Sequence, residues 1–420
     1  MPITRTSHPP RPSSRRSRAA ATFAILLSAF AVASVQGTTE ARADGPGSGA
    51  AWVVSVGDSF ISGEAGRWAG NTNDSTSKID AGGSDAYWDN SANTGEVIAR
   101  CHRSESAPIH LGGGVNSKNL ACSGSETTSA IDDDDRFKPG LDFYNSSGRK
   151  GQALQLQEFA TTHNVKMVAV SIGGNNFGFA DIVQTCVTDF LTSPTWWKDY
   201  CKDDDSVTKH LTDSNVDRQV GKIVTALKNV RTAMSRAGYA DSTYRIVVQD
   251  YPSPLTSGGS MRYAEGGFSR QRVGGCGFWN ADASWTNSTL LPKINGAVAR
   301  AVDDANLTNT VMVHNAAAFT GRRLCESSVG LLEEEDLASW RSAGAVDRTE
   351  WVNQIRTLST VSGPYFVQES IHPDHWGQLA LRNCLRQAFN GGAVRGGTCA
   401  RRSSTGLNSR GEPNMSFTPA

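Results

Sequence analysis

Apolar runs alternate with amphipathic stretches along most of this 420-residue chain. Four runs rich in Val or Ile have the length and composition of buried strands: 53–56, 165–172, 244–249 and 310–314. Helical spacing of apolar residues marks four other stretches: 151–163, 216–237, 290–307 and a last one that ends at Phe389. Shorter helices are predicted at 96–107 and 333–341. The alternation predicts an α/β fold with a central parallel sheet and helices on both faces.

A polar, glycine-rich stretch from Glu64 to Asn93 interrupts this pattern and predicts a long loop. Long loops in compact domains often carry function. Its aromatic side chains either line a substrate cleft or cover the core beneath the loop, and the second interpretation is slightly favoured. Across the chain, six aromatic residues are candidates for the wall of an apolar groove: Trp68, Tyr87, Trp88, Trp196, Trp197 and Trp279.

Residues 1–43 have the three parts of a secretory signal peptide. A segment with four arginines precedes the apolar Ala19–Ala33, and Ala41-Arg42-Ala43 fits a cleavage site before Asp44. Cleavage after Ala33 is the alternative, and Arg15-Arg16 leaves both the general and the twin-arginine export routes open. We expect a secreted, extracellular protein with no transmembrane segment, because no later apolar run reaches membrane length.

Composition bounds the rest of the chain. Removing 43 of the 420 residues leaves 377, which suits one catalytic domain at 44–399. Residues 400–420 are rich in Arg, Ser, Gly and Asn and are predicted to form a disordered tail. The 41 basic and 41 acidic residues balance, and no basic stripe predicts a nucleic-acid partner.

All eight cysteines lie in the exported part: Cys101, Cys122, Cys186, Cys201, Cys276, Cys325, Cys384 and Cys399. An even number in an exported chain predicts disulfides. Spacing leaves their connectivity open, but sequential pairing would close four compact loops: 101–122, 186–201, 276–325 and 384–399. A zinc site is the rival interpretation. It lacks support, because the chain has no Cys-x-x-Cys and no histidine at ligand spacing from a cysteine pair.

The stretch Val53–Gly63 combines a strand with a turn suited to a catalytic group. Its apolar run ends at Gly57-Asp58-Ser59, and Gly63 follows four residues after the serine. Gly57 permits a sharp turn and Asp58-Ser59 favours a helix start, which places the Ser59 hydroxyl at a strand-to-helix corner. Ligands bind at such corners in open α/β sheets. The alternative is that Asp58-Ser59 only caps the next helix.

Three further residues stand at turns beside apolar structure: Gly124, Asn175 and His372. Ester hydrolysis needs a hydroxyl nucleophile, a base that takes its proton, and donors that stabilise the tetrahedral oxyanion. Ser59 and His372 suit the first two parts, and the Gly124 N–H and the Asn175 amide suit the third. The chain has no Gly-x-Ser-x-Gly nucleophile elbow, which argues against an α/β-hydrolase.

The order Gly57-Asp58-Ser59, Gly124, Gly173-x-Asn175 and His372-Pro373 resembles the GDSL or SGNH hydrolases, above all secreted actinobacterial lipases and phospholipases. The resemblance spans residues 52 to about 390. It implies a flavodoxin-like three-layer α/β/α sandwich that cleaves carboxylic esters without a metal or cofactor. It also implies that Ser59 is the nucleophile, that His372 is the general base, and that the Ser59 N–H, the Gly124 N–H and Asn175 form the oxyanion hole.

Three positions depart from the family's pattern: Phe60 in place of Leu, Asn176 in place of Asp, and Glu369 in place of the Asp three residues before the histidine. The change at Asn176 is expected to alter supporting hydrogen bonds and leave the oxyanion hole intact. Glu369 is slightly favoured as the residue that orients His372. The alternative is the main-chain carbonyl of Ser370, as in some relatives.

The resemblance favours a serine esterase acting on lipid acyl esters: a lipase, phospholipase or lysophospholipase. An esterase that removes acetyl or feruloyl groups from polysaccharide is the alternative, although no appended carbohydrate-binding module is visible. A non-catalytic binding protein on the same fold is disfavoured, because it would not need both Ser59 and His372. The expected partners are a lipid or small acyl ester and, transiently, a lipid surface, with the protein itself a monomer.

Overall fold

The computed structural model describes residues 45–356 and 367–420, and the predicted signal peptide at 1–43 lies outside them. Seven strands form the central sheet: β1 Ala51–Gly57, β2 Asn116–Asn119, β3 Asn164–Ser171, β4 Arg245–Gln249, β5 Thr310–His314, β6 Gly397–Arg401 and β7 Met415–Pro419. Their order is β7-β6-β5-β4-β3-β1-β2. All neighbours are parallel except β6 and β7. The predicted α/β fold with a central parallel sheet is confirmed.

Six helices position the site or cover the sheet: α1 Ser59–Ser62, α2 Gln152–Thr161, α3 Phe179–Thr192, α4 Asp213–Arg236, α5 Leu291–Ala305 and α6 His375–Phe389. Shorter helices and hairpin strands lie in the connections: Ala130–Ile131, Phe137–Lys138, Asn145–Ser146, Arg149–Lys150, Asp205–Thr208, Ser269–Arg272, Asn280–Trp285 and Ala345–Arg348. Helix α4 packs against α2 and α5, and α6 packs against β6 and β7. Most side chains of β1 and β3 are buried on both faces, as expected for strands covered on both sides. None of the helices in the described part of the chain has the length and apolarity needed to span a bilayer.

Four disulfides join consecutive cysteines, which confirms the sequential pairing: Cys101–Cys122, Cys186–Cys201, Cys276–Cys325 and Cys384–Cys399. Two of them fix elements next to the site. Cys186–Cys201 joins α3 to the loop that follows it, and Cys384–Cys399 joins α6 to β6.

Two predicted helices are absent from the structure. Residues 96–107 form turns, because the Glu96 carboxylate accepts hydrogen bonds from the Arg100 and His102 N–H groups and replaces helical partners. Residues 333–341 also form turns. Their consecutive glutamates bind side chains on three separate segments, which a regular helix would not reach: Glu333 binds Thr72, Glu334 binds Arg262 and Glu335 binds Arg348.

The prediction of a disordered tail at 400–420 is wrong. β7 pairs antiparallel with β6 and closes the edge of the sheet, and Met415 is buried against the core. Between the two strands, the buried Glu412 carboxylate forms a bidentate ion pair with Arg386 of α6. The polar composition that suggested disorder belongs to the connection, whereas the apolar residues of the strand are too few to stand out.

We expect removal of residues 403–420 to destabilise the protein. The deletion takes away β7 and leaves the Arg386 guanidinium without Glu412, and breaking a buried ion pair by removing one partner costs about 3 kcal/mol or more. Thermal and denaturant unfolding of the shortened chain measures the loss. A melting temperature equal to that of the full mature chain would restore the disordered-tail interpretation.

Candidate active site

The Ser59 hydroxyl lies at the corner where β1 turns into α1. Gly57 has φ of 136°, and a Cβ atom at this position would lie 1.9 Å from the Ser171 carbonyl oxygen at the end of β3. Only glycine fits this approach. The Asp58 N–H donates to the same carbonyl at 2.9 Å, and the Asp58 carboxylate caps α1 by accepting from the Phe60 N–H. Ser59 is therefore the first residue of α1, where its own N–H has no partner within the helix.

The structure brings His372 to Ser59. The Nε2 atom of His372 lies 2.7 Å from the Ser59 Oγ, and its Nδ1 lies 2.9 Å from the main-chain oxygen of Ser370. A carbonyl can only accept, so Nδ1 carries the hydrogen and Nε2 is left to accept from the Ser59 hydroxyl. This is the tautomer that a general base for Ser59 requires.

The partner of the His372 Nδ1 is the main-chain carbonyl of Ser370, which was the alternative. The expectation that Glu369 orients His372 is corrected. The single hydrogen on Nδ1 points to the Ser370 carbonyl. The Glu369 carboxylate accepts from the Trp68 Nε1–H at 2.9 Å and from the Tyr87 hydroxyl. Glu369 thus binds the long loop to the segment that carries His372, and both aromatic residues serve this attachment.

Gly124 and Asn175 line the same cavity as Ser59 and His372. Gly124 is exposed at a turn with φ of 78°, a conformation that favours glycine and presents its backbone to the cavity. The Asn175 Nδ2 donates to the Ser125 main-chain oxygen at 2.8 Å. An amide nitrogen carries two hydrogens, so this bond fixes the side chain and leaves the second hydrogen for a ligand.

Asn176 links the loop of Asn175 to the loop of Gly124. Its Nδ2 donates to the Glu126 carboxylate at 2.9 Å, and its Oδ1 accepts from the Thr127 N–H at 3.1 Å. These bonds hold the loop of Asn175 against that of Gly124.

A buried hydrogen-bond chain beneath the site was not expected from the sequence. The Tyr251 hydroxyl donates to the Asp58 carboxylate and accepts from the Gly174 N–H at 2.8 Å. Asp58 follows β1, Gly174 follows β3 and Tyr251 follows β4, so the Tyr251 hydroxyl joins the ends of three strands. Burial raises the pKa of Asp58 to about 7, against the lowering effect of the Tyr251 hydrogen bond. The turn Asp250-Tyr251-Pro252 was visible in the sequence, but its partners were not.

Glu64 brings a negative charge close to His372. It is fully buried, with Oε1 lying 2.6 Å from the His102 Nδ1, while Gln368 donates to Oε2 at 2.9 Å. Burial alone would raise the pKa of Glu64, but the adjacent His102 outweighs it and holds that pKa below its ordinary value. Burial lowers the pKa of His372 below its ordinary value, and the Glu64 charge opposes this shift.

Glu64, His102 and Glu369 also form a cluster whose potential metal-ligating atoms lie within 4.8 Å of one another. Protein groups already engage the cluster, since Gln368 donates to Glu64, Tyr87 and Trp68 donate to Glu369, and His102 bonds Glu64 directly. We assign Glu64 an electrostatic role beside His372, whereas Glu369 holds the long loop in place.

A cavity of about 750 Å³ extends from Ser59 and has mostly aliphatic walls. Helix α3 contributes apolar side chains four residues apart: Phe179, Val183, Val187 and Leu191. Other apolar side chains complete the wall: Pro252, Pro254, Leu291, Ile294 and Ile355. None of the six aromatic residues that were candidates for the groove lines this cavity. The burial of Trp68 agrees with the favoured interpretation that aromatic residues of the long loop cover the core. Trp68 and Trp279 are buried in the core, whereas Trp196 and Trp197 are exposed to solvent.

No protein-family model matches the chain, and a search of curated proteins finds no match either. Several solved structures show similarity, among them the following three. An extracellular lipase from Streptomyces rimosus is 19% identical with a TM-score of 0.38, covering 79% of this chain and 95% of that one. Phospholipase A1 from Streptomyces albidoflavus NA297 is 19% identical with a TM-score of 0.39, and the match covers 82% of this chain and 100% of that one. A carbohydrate acetylesterase from Sinorhizobium meliloti is 12% identical with a TM-score of 0.27, and the match covers 62% of this chain and 83% of that one. Similarity at this level does not transfer a substrate to this chain.

We expect kcat/KM for ester hydrolysis to fall at acid pH, as His372 takes a proton and loses its ability to act as a base. Because burial lowers its pKa, the midpoint should lie below about 6.5, the value of a free histidine. Glu64→Gln removes the charge that opposes this shift, so the midpoint of the variant should move to lower pH. The pH profiles of both proteins test this, with thermal unfolding as the control for folding. A midpoint unchanged or raised in Glu64→Gln would contradict the electrostatic role.

Proposed function

We propose that the chain is a secreted serine esterase that hydrolyses acyl esters of lipids, as a lipase, phospholipase or lysophospholipase does. One observation carries the proposal: the Ser59 Oγ lies 2.7 Å from the His372 Nε2 at one end of an aliphatic cavity. A hydroxyl bonded to an acceptor imidazole is the arrangement that activates a serine nucleophile. The four disulfides support the proposal of an exported protein.

In the first half of the proposed reaction, the Ser59 Oγ attacks the ester carbonyl carbon while its proton passes to the His372 Nε2. The carbonyl oxygen becomes an oxyanion and accepts hydrogen bonds from the Ser59 N–H, the Gly124 N–H and the Asn175 amide. The C–O bond of the ester then breaks, and the alcohol leaves with the proton held by His372. An acyl group remains bound to Ser59.

In the second half, water attacks the acyl carbon and gives its proton to the His372 Nε2. The oxyanion forms again in the same hole, and its collapse releases the carboxylic acid and returns the proton to the Ser59 Oγ. The Ser370 carbonyl holds the imidazole ring throughout, and Glu64 stabilises the imidazolium that exists during each step. No further group is needed to balance the reaction.

The walls of the cavity favour a long acyl chain. The α3 side chains from Phe179 to Leu191 form one stripe, which at 1.5 Å per residue extends for about 18 Å. Ligand cavities of about 300–1,000 Å³ hold molecules of lipid-chain size and derive affinity from apolar walls. An acetyl group would leave most of this stripe without a contact. For this reason we favour lipid esters over the acetyl or feruloyl esters of polysaccharide.

We expect the purified mature chain, residues 44–420, to release fatty acid from phosphatidylcholine and to cleave p-nitrophenyl palmitate and butyrate, with little acetate from acetylated xylan. Ser59→Ala should lower each activity by at least about 10³-fold, because the nucleophile is lost. Ser84→Ala, at an exposed serine of the long loop, is the matched control. Unchanged turnover by Ser59→Ala would refute the site. Acetate or ferulate release without lipid cleavage would place the chain among carbohydrate esterases.

A further inference from the structure

Two adjacent tryptophans, Trp196 and Trp197, have 87% and 78% of their surface exposed to solvent. Phe268 on the neighbouring loop is 50% exposed, and we call these three side chains the aromatic patch. By contrast, Trp68, Trp279, Trp351 and Trp376 are at most 4% exposed. Removing large apolar rings from water is favourable, so a group of them left in water marks a surface that contacts something else.

The loop that carries the two tryptophans is held in place. Cys201 forms a disulfide with Cys186 of α3, and the Asp199 N–H donates to the Ser193 Oγ at 3.1 Å. On its other side the Lys198 Nζ lies 2.5 Å from a Glu265 carboxylate oxygen, which joins it to the loop of Phe268. These bonds fix the loop, so the aromatic patch stays exposed in the folded protein.

The two tryptophans of the aromatic patch follow α3, the helix that lines the cavity, closely along the chain. Helix α3 lines the cavity from Phe179 to Leu191 and ends at Thr192, four residues before Trp196. One helix thus joins the Ser59 end of the cavity to the exposed rings. A polysaccharide would need several polar partners along this path, whereas between the ends of the stripe α3 presents two polar side chains, Gln184 and Thr188, beside Ala180, Val183 and Val187.

Charged residues around the patch favour a neutral lipid surface over an anionic one. Residues 196–205 contain two lysines and four aspartates. Both lysines are paired, Lys198 with Glu265 and Lys202 with Asp203. Burial, together with the nearby Asp204 and Asp199, raises the pKa of Asp189 to about 6. The Trp196–Trp197 side of the aromatic patch is therefore negative, whereas Arg272, exposed four residues after Phe268, adds a positive charge on the other side. The excess of negative charge suits the quaternary ammonium of phosphatidylcholine and opposes anionic headgroups.

We propose that the aromatic patch docks this protein onto the headgroup layer of a zwitterionic lipid surface, with Trp196 and Trp197 inserted. Tryptophan favours that layer because its ring is apolar and its N–H is polar. Docking places the α3 stripe next to the lipid, so that an acyl chain can pass along it towards Ser59. This inference rests on the proposed lipid esterase function and adds the surface on which that enzyme acts.

Binding is measured on the mature Ser59→Ala protein, so that no lipid is hydrolysed during the assay. Phosphatidylcholine vesicles should sediment the protein, and Trp196→Ser with Trp197→Ser should lower the partition coefficient at least about tenfold, since binding scales with the apolar area inserted. Leu407→Ser, at an exposed apolar residue between β6 and β7, is the matched control and should bind normally. With Ser59 intact, the double tryptophan variant should cleave soluble p-nitrophenyl butyrate at the normal rate.

Four results would overturn the docking proposal. They are absence of vesicle binding, equal binding by the double tryptophan variant, stronger binding when phosphatidylglycerol replaces part of the phosphatidylcholine, and a tryptophan-dependent dimer in sedimentation velocity. Tryptophan-dependent binding to insoluble xylan in place of vesicles would assign the aromatic patch to polysaccharide. Failure of the esterase proposal looks different: vesicle binding would persist while the protein with Ser59 intact cleaved no ester.

Discussion

The candidate active site depends on how closely the carboxyl ends of β1 and β3 approach each other. The Ser171 carbonyl occupies the space that a side chain at position 57 would need, and the same oxygen accepts the Asp58 N–H. This contact turns the chain into α1 and aims Ser59 across the end of β3, where Gly174 and Asn175 follow. Gln152 of α2 completes the corner, since its side chain bonds both the N–H and the carbonyl of Gly57. Tyr251 then connects β4 to the same corner through Asp58 and Gly174.

Two groups determine the electrostatics of His372, the Ser370 main-chain carbonyl and the Glu64 carboxylate. A carbonyl fixes the tautomer of the imidazole but supplies only a partial charge. The full negative charge comes from Glu64, which follows α1 and is buried beside His102. In the proposed mechanism, helix α1 and the loop after it therefore provide both the nucleophile and the group that stabilises its protonated base. A buried charge is costly unless it is paired, and His102 and Gln368 supply the partners.

Much of the fold and part of the site could be predicted, because they depend on local sequence. Strand and helix periodicity indicated the parallel sheet, and the turn chemistry of Gly57-Asp58-Ser59 marked the corner. The sequence could not decide which group orients the His372 ring. Glu369 and the Ser370 carbonyl are one residue apart, and only the three-dimensional positions of Trp68 and Tyr87 show where the carboxylate goes.

Edge strands and cavity walls are also decided by distant contacts. β7 is short and follows a polar connection, so its strand character depends on pairing with β6 and on the ion pair between Arg386 and Glu412. No helix was predicted at 179–192, where the structure has α3 and its stripe of apolar side chains. Nothing local distinguishes a stripe that faces the core from one that lines a cavity, so the residues that form this cavity could not be assigned from the sequence.

The central claim, that His372 activates Ser59 as a nucleophile, is tested most directly by covalent labelling with a long-chain alkyl fluorophosphonate. Intact mass should increase by one phosphonyl group, peptide mapping should place that group on Ser59, and His372→Ala should slow the labelling by about 10² or more, as expected for loss of a general base. Labelling at another residue, or equal labelling rates with and without His372, would contradict the claim.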